Sequence, residues 1–202
     1  MARPKGRGLV KQRQEAADER RRQLAAQSRR KGIIVAAVGL AAAAAAAAFV
    51  ALQPPPPGIQ FPSMGNQHLA SPEESHGPYN SSPPSSGPHW GGLANWGEHT
   101  EPVPPEIFVH NLEDAGVVLT YDCPDGCADL VEDLSGLLAE FEDDSVLMTP
   151  YAGITDPDGR EYRAAVVAWT RVFYFDDLDD QTIDEVRQFI SLFEGIDHHV
   201  GA

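Results

Sequence analysis

The stretch GVVLTYDCPDGCADLVEDLSGLLAEF, residues 116–141, decides the fold. Its opening, Gly116 to Tyr121, is a short apolar run rich in β-branched residues. It is bounded by glycine on one side and by CPDGC on the other, and so reads as a buried strand. Beyond the cysteine turn, Leu130, Leu134, Leu137, Leu138 and Phe141 recur near helical spacing, which predicts an amphipathic helix. Towards the C-terminus, SVLMTPY (145–151) and YRAAVVAWTRVFYF (162–175) read as two more strands, with the DPDG turn (156–159) between them. DDQTIDEVRQFISLF (179–193) closes the series as a helix. Ile183, Val186, Ile190 and Phe193 form its apolar stripe, and Asp and Thr lie at its start. The order strand, helix, strand, strand, helix predicts a small α+β domain in which two helices cover one sheet.

Upstream of residue 107 the composition changes. From Gly58 to about Glu106 the chain is dense in Pro, Gly, Ser and Asn and shows no sustained period. Phe61, Tyr79, Trp90, Leu93 and Trp96 supply enough apolar anchors for it to lie over the core as a long ordered arm. Pro54 to Pro57 favour an extended polyproline stem. Before that stem, Gly32 to Leu52 is free of charge, and as a helix at about 1.5 Å per residue it spans a bilayer's hydrocarbon core. A soluble alanine-rich helix and a signal peptide cleaved before Gln53 are the rival readings. The basic segment ahead of the run is about thirty residues, long for a signal peptide, and favours an uncleaved anchor.

The net charge of −15 conceals a polar split: residues 1–31 carry +8, and residues beyond 52 carry −23. Arg29, Arg30 and Lys31 abut the span, which predicts a cytoplasmic N-terminus and an extracytoplasmic C-terminal part in the cell membrane. The basic segment lacks interleaved aromatics and any nucleic-acid motif, so no nucleic-acid partner is expected, only attraction to anionic lipid. The expected organisation is a basic cytoplasmic segment (1–31), a transmembrane helix (32–52), a Pro-rich stem (53–64), an extracytoplasmic α+β domain (65–197) and a tail (198–202).

Three motifs in this exported part are PPSSGPHW at Pro83–Trp90, HNLEDAG at His110–Gly116 and AW at Ala168–Trp169. In these the chain resembles a bacterial family catalogued as domain-of-unknown-function family 3105. Its members are membrane-anchored or secreted and share a PP-[Thr/Ser]-SGPH segment, H-x-LEHG leading into a strand, and Ala-Trp near the last strand. The resemblance covers roughly Gly65 to Glu194 and implies no established activity. It departs where the family has a second histidine and a glycine: this chain has Asp114 and Ala115.

Two constellations carry chemistry. His68, His89, His110 and Asp114 supply imidazole and carboxylate, which suit zinc, or copper, when they converge within about 2.0–2.2 Å of one ion. If residues 110–114 form a helical turn, the spacing of four puts His110 and Asp114 on one face. Pro88 restricts the backbone before His89, and Trp90 is expected to anchor the loop on the core. The plain alternative is a structural polar network, with His89 bonded to backbone and Glu113 and Asp114 capping a turn. His76, His198 and His199 are weaker candidates. The HNLED stretch lacks the second histidine of an H-x-x-E-H metallopeptidase signature. The second constellation is Cys123 and Cys127. Three residues separate them, so the C-x-x-C redox signature fails, and a structural disulfide is expected. Asp and Glu in FEDDS and FDDLDD read as solvated surface, without the spacing of a calcium-binding EF-hand loop. The reading as a whole is a binding module for a divalent metal or an envelope partner. The rival is an envelope enzyme, either a metal-dependent hydrolase or a thiol-disulfide oxidoreductase.

Overall fold

The computed structural model describes residues 6–52, 54–124 and 126–199, in two units, Met1–Pro55 and Pro56–Ala202. The first five residues of the expected basic segment, the rival cleavage point at Gln53 and residues 200–202 of the expected tail lie outside the described residues.

The first unit is one helix, α1 (Gly6–Ala51). Alanine has the highest helix propensity, and no Pro or turn signal interrupts the run. Over Gln12–Phe49 the helix is long and apolar enough to cross a membrane. Ile33, Val35, Leu40 and Phe49 all project from it exposed.

In the second unit, β1 (Ile59–Gln60), β2 (His68–Leu69), β3 (His89–Trp90) and β4 (Gly97–Glu98) are two-residue strands within the long arm. They are followed by α2 (Pro105–Glu113), β5 (Val117–Tyr121) and α3 (Ala128–Leu138) with a single 3-10 turn after it. The chain ends in β6 (Val146–Pro150), β7 (Ala164–Ala168), β8 (Arg171–Phe175) and α4 (Asp180–Phe193). One mixed sheet runs in the order β1-β8-β7-β5-β6-β4. Strands β5 and β6 are parallel, linked by α3, whereas β5–β7 and β7–β8 are antiparallel. The fold is thus α+β, as the sequence predicts.

Both faces of this sheet are covered, which is why its strands read as continuous apolar runs and not as alternation. Val117, Leu119, Val146, Met148 and Val166 pack on Leu130 and Leu134 of α3 and on Val186, Phe189 and Ile190 of α4. The opposite face, with Val118, Leu147, Ala165 and Val167, packs on Phe108, Val109 and Leu112 of α2 and on Phe61 of the arm.

Three features differ from the sequence reading. Helix α2 joins the two predicted helices. It starts at Pro104-Pro105, where a proline at the first helical position lacks only an N–H that would be unpaired in any case. Residues 162–175 are not one strand but a hairpin, in register Ala168↔Arg171 with Trp169-Thr170 at its turn. No glycine or asparagine announces that turn, because Thr170 itself takes the left-handed conformation at φ 62°. The arm holds it there: Thr170 N donates to Ser85 O (2.8 Å), and Phe61 N donates to Thr170 O (2.8 Å). Trp90, expected on the core, is 37% exposed. The loop is fixed instead by Tyr79, whose hydroxyl donates to Pro88 O (2.7 Å), and by the buried Ser85 and Ser86.

Candidate functional site

Helix α2 and the arm meet at one point on the covered face of the sheet. In α2 the i,i+3 relation sets His110 and Glu113 one turn apart on the same side. The helix stops immediately after them. Asp114 N donates to His110 O (2.9 Å), Gly116 N donates to Asn111 O (2.9 Å), and Ala115 between them sits at φ 68°. That is a Schellman ending, with alanine in the position that ordinarily takes glycine. Asn111, fully buried, ties the helix to the arm by exchanging hydrogen bonds with the backbone of Ala94 (3.0 and 2.9 Å).

The arm brings the other two histidines as cross-strand neighbours. Strands β2 and β3 pair in parallel with His68 opposite His89, and His89 N donates to Gln67 O at 3.0 Å. The rings of His68, His89 and His110 lie 4.9–5.2 Å apart, centroid to centroid.

At the middle of the three rings is Glu113, which is fully buried. Its Oε1 accepts from Asn66 Nδ2 at 2.8 Å. Its Oε2 faces His89 Nε2 at 2.9 Å, His68 Nε2 at 3.3 Å and His110 Nδ1 at 3.4 Å. Burial alone would raise the Glu113 pKa. The hydrogen bonds from Asn66 and His68 and the fields of His89 and His199 outweigh it and hold the carboxyl below its ordinary value, so the group is an anion. Burial lowers the His110 pKa, Asp114 partly opposes this, and the ring is held neutral.

The ring tautomers define what this centre accepts. His89 Nδ1 lies 2.8 Å from Gly87 O, which can only accept, so that nitrogen carries hydrogen. The Nε2 of a neutral His89 is then a bare lone pair aimed at a carboxylate oxygen, an arrangement that needs a proton or a cation between the two atoms. His110, only 7% exposed, has its buried Nδ1 without a hydrogen-bond partner. Four ligand atoms, from His68, His89, His110 and Glu113, lie within 4.8 Å of one another and could hold a metal ion. For bonds of about 2.0–2.1 Å a tetrahedron has edges of about 3.3 Å. The three distances from Glu113 Oε2 bracket that value.

Of the residues singled out in the sequence, His68, His89 and His110 are together in this group. Asp114 stands beside it, its Oδ2 3.8 Å from His110 Nε2 and its Oδ1 3.2 Å from His199 Nε2. His76 is elsewhere, against Glu106 at 3.2 Å. Two residues take larger parts than the sequence assigned them. Glu113, read as a turn cap, is the hub; the signal for it was the i,i+3 spacing from His110, usable only once α2 is recognised. His199 reaches the site from the tail, and nothing local marks it. Trp169 at the hairpin turn is edge-on to His89 (6.3 Å) and stacks on His198 (5.7 Å).

Cys123 and Cys127 flank the turn from β5 to α3, with sulfurs at disulfide-bonding distance and Cα atoms 5.6 Å apart. They lie at the other end of β5 from Glu113, and none of the ligand atoms of the histidine group is theirs.

Fold and site together define an α+β domain that gathers three imidazoles around one buried carboxylate. The model of the family described as "Protein of unknown function (DUF3105)" matches residues 71–197, more than half of the chain, and the protein belongs to that family. No curated protein and no solved structure matches the chain.

Proposed function

We propose that the protein is a membrane-anchored, extracytoplasmic binding module for a divalent metal ion, held by His68, His89, His110 and Glu113. One observation carries the reading: His89 Nε2, with its other ring nitrogen committed to Gly87 O, faces the Glu113 anion at 2.9 Å beside the unpartnered Nδ1 of His110. A cation satisfies all of these atoms at once. The Gly87 carbonyl on His89 and the Asn66 amide on Glu113 are then the outer partners that orient metal ligands. Three imidazoles and a carboxylate suit zinc and copper(II) better than magnesium or calcium, which favour all-oxygen sites. The half-exposed His68 is the side from which an ion enters.

The helix α1 supports anchoring by its length and apolar composition. Arg29, Arg30 and Lys31 beside its uncharged part favour a cytoplasmic N-terminus, and the paired cysteines suit an oxidising exterior. Binding is favoured over a metal-dependent hydrolase because four protein ligands fill a tetrahedral ion, whereas a catalytic zinc keeps one position for water. The test is metal analysis of the full chain in detergent after loading with zinc or copper(II) and dialysis. One tightly held ion is expected, with Glu113→Gln lowering affinity by about 100-fold or more, since loss of even an orienting partner costs about 10–100-fold. A folded protein that retains no ion, or a Glu113→Gln variant that retains it as well as the parent, overturns the reading.

A further inference from the structure

The imidazole of His110 has two faces. Its Nδ1 points to Glu113 at 3.4 Å, and its Nε2 lies 3.8 Å from the Asp114 carboxylate on the opposite side of the ring. No hydrogen bond engages either nitrogen among the described residues, although the side chain is more than nine-tenths buried. The tail delivers His199, with Nε2 3.2 Å from Asp114 Oδ1 and 3.6 Å from Glu113 Oε2. His199 is oriented as a ligand would be: its Nδ1 is 2.8 Å from Asp197 Oδ1, which leaves Nε2 turned towards Asp114. Ligand atoms of His110, Asp114 and His199 lie within 4.8 Å of one another.

The tail is docked by more than this contact. Gly195 N donates to Ala115 O (2.8 Å), His198 N donates to Glu113 O (3.0 Å), and the His198 ring stacks on Trp169 at 5.7 Å. Residues that terminate α2 thus also hold the segment that brings His199. From this geometry we infer a second, more exposed position for a divalent cation, made by His110 Nε2, Asp114 and His199 Nε2, adjoining the buried one and sharing His110 with it. The inference rests on the proposed buried site, because only an ion on Nδ1 makes His110 a bridge.

Three neutral imidazoles, one carboxylate and a divalent ion give the buried centre a charge of +1. A second divalent ion enters against that charge, offset in part by Asp114, and is bound more weakly than the first. When both nitrogens of His110 are ligated, its remaining ring proton leaves to solvent. The exposed position therefore loads second and empties first.

Zinc titration of the full chain in detergent, followed by calorimetry and by metal content after equilibrium dialysis, tests this. The parent should bind two zinc ions per chain in a tight and a weak step. His199→Ala, on an exposed residue of the tail, should abolish the weak step and leave the tight affinity within about threefold, and Asp114→Asn should do the same. Glu113→Gln should remove the tight step. A parent that binds one zinc, unchanged by His199→Ala, overturns the second position while the buried site stands. One zinc that His199→Ala weakens makes His199 a ligand of the first ion and equally overturns it. No zinc in the parent overturns both.

Discussion

Replacing Ala115 with glycine should stabilise the domain, which is unusual for a substitution to glycine. Ala115 occupies the left-handed region at φ 68° because the chain must turn out of α2 into β5 within three residues. For an L-residue that conformation costs about 1–2 kcal/mol relative to the right-handed one. Glycine removes the strain but adds about 0.4–1 kcal/mol of unfolded-chain entropy. The balance is a gain of about 0.5–1 kcal/mol. Both backbone hydrogen bonds of the turn survive, as does the Gly195 N donation to the carbonyl of residue 115, since none uses the side chain. The three tryptophans, Trp90, Trp96 and Trp169, all belong to the second unit, so their fluorescence reports its unfolding without interference from α1. With a urea slope of about 2 kcal/mol/M, the midpoint should rise by about 0.3–0.5 M. Thr170→Gly supplies the contrast. At φ 62° it relieves similar strain, but it loses the Thr170 Oγ1 bonds to Gln60 (2.9 Å) and Trp169 O (2.7 Å), and should gain less. An unchanged or lowered midpoint for Ala115→Gly would refute the strain reading of the helix ending.

Two further outcomes follow from the core and the cysteine turn. Leu134→Ala removes a fully buried side chain between α3 and the sheet and should cost about 2–5 kcal/mol, seen as a lower urea midpoint; a loss under about 1 kcal/mol would show that the α3 interface is loosely packed. Intact mass with and without reduction should reveal two thiols protected from alkylation, and opening so short a loop should cost about 2 kcal/mol. Two thiols freely alkylated in unreduced protein would contradict the pairing.

How far the sequence could be read depended on whether a signal was local. Buried strands, the α3 and α4 stripes and the uncharged helix each announce themselves within a dozen or so residues, and the α+β class follows from their order. The hairpin was hidden because its turn uses Trp169 and Thr170, held in place by Ser85 and Phe61 from far upstream. Helix α2 was hidden because it is only nine residues long, too few for its period to stand out. The histidines could be named as metal-ligand types, but Glu113 could not be told from a cap without the helix. His199 lies 89 positions beyond His110 and meets it only through the docked tail.

The proposed metal centre is tested most directly by the ion itself. Crystals of the chain loaded with zinc, measured on both sides of the zinc absorption edge, should give an anomalous peak about 2.0–2.2 Å from His68 Nε2, His89 Nε2, His110 Nδ1 and Glu113 Oε2. No peak within that distance of those four atoms, or a zinc-loaded crystal in which His89 Nε2 still contacts Glu113 directly with no density between them, would contradict the account.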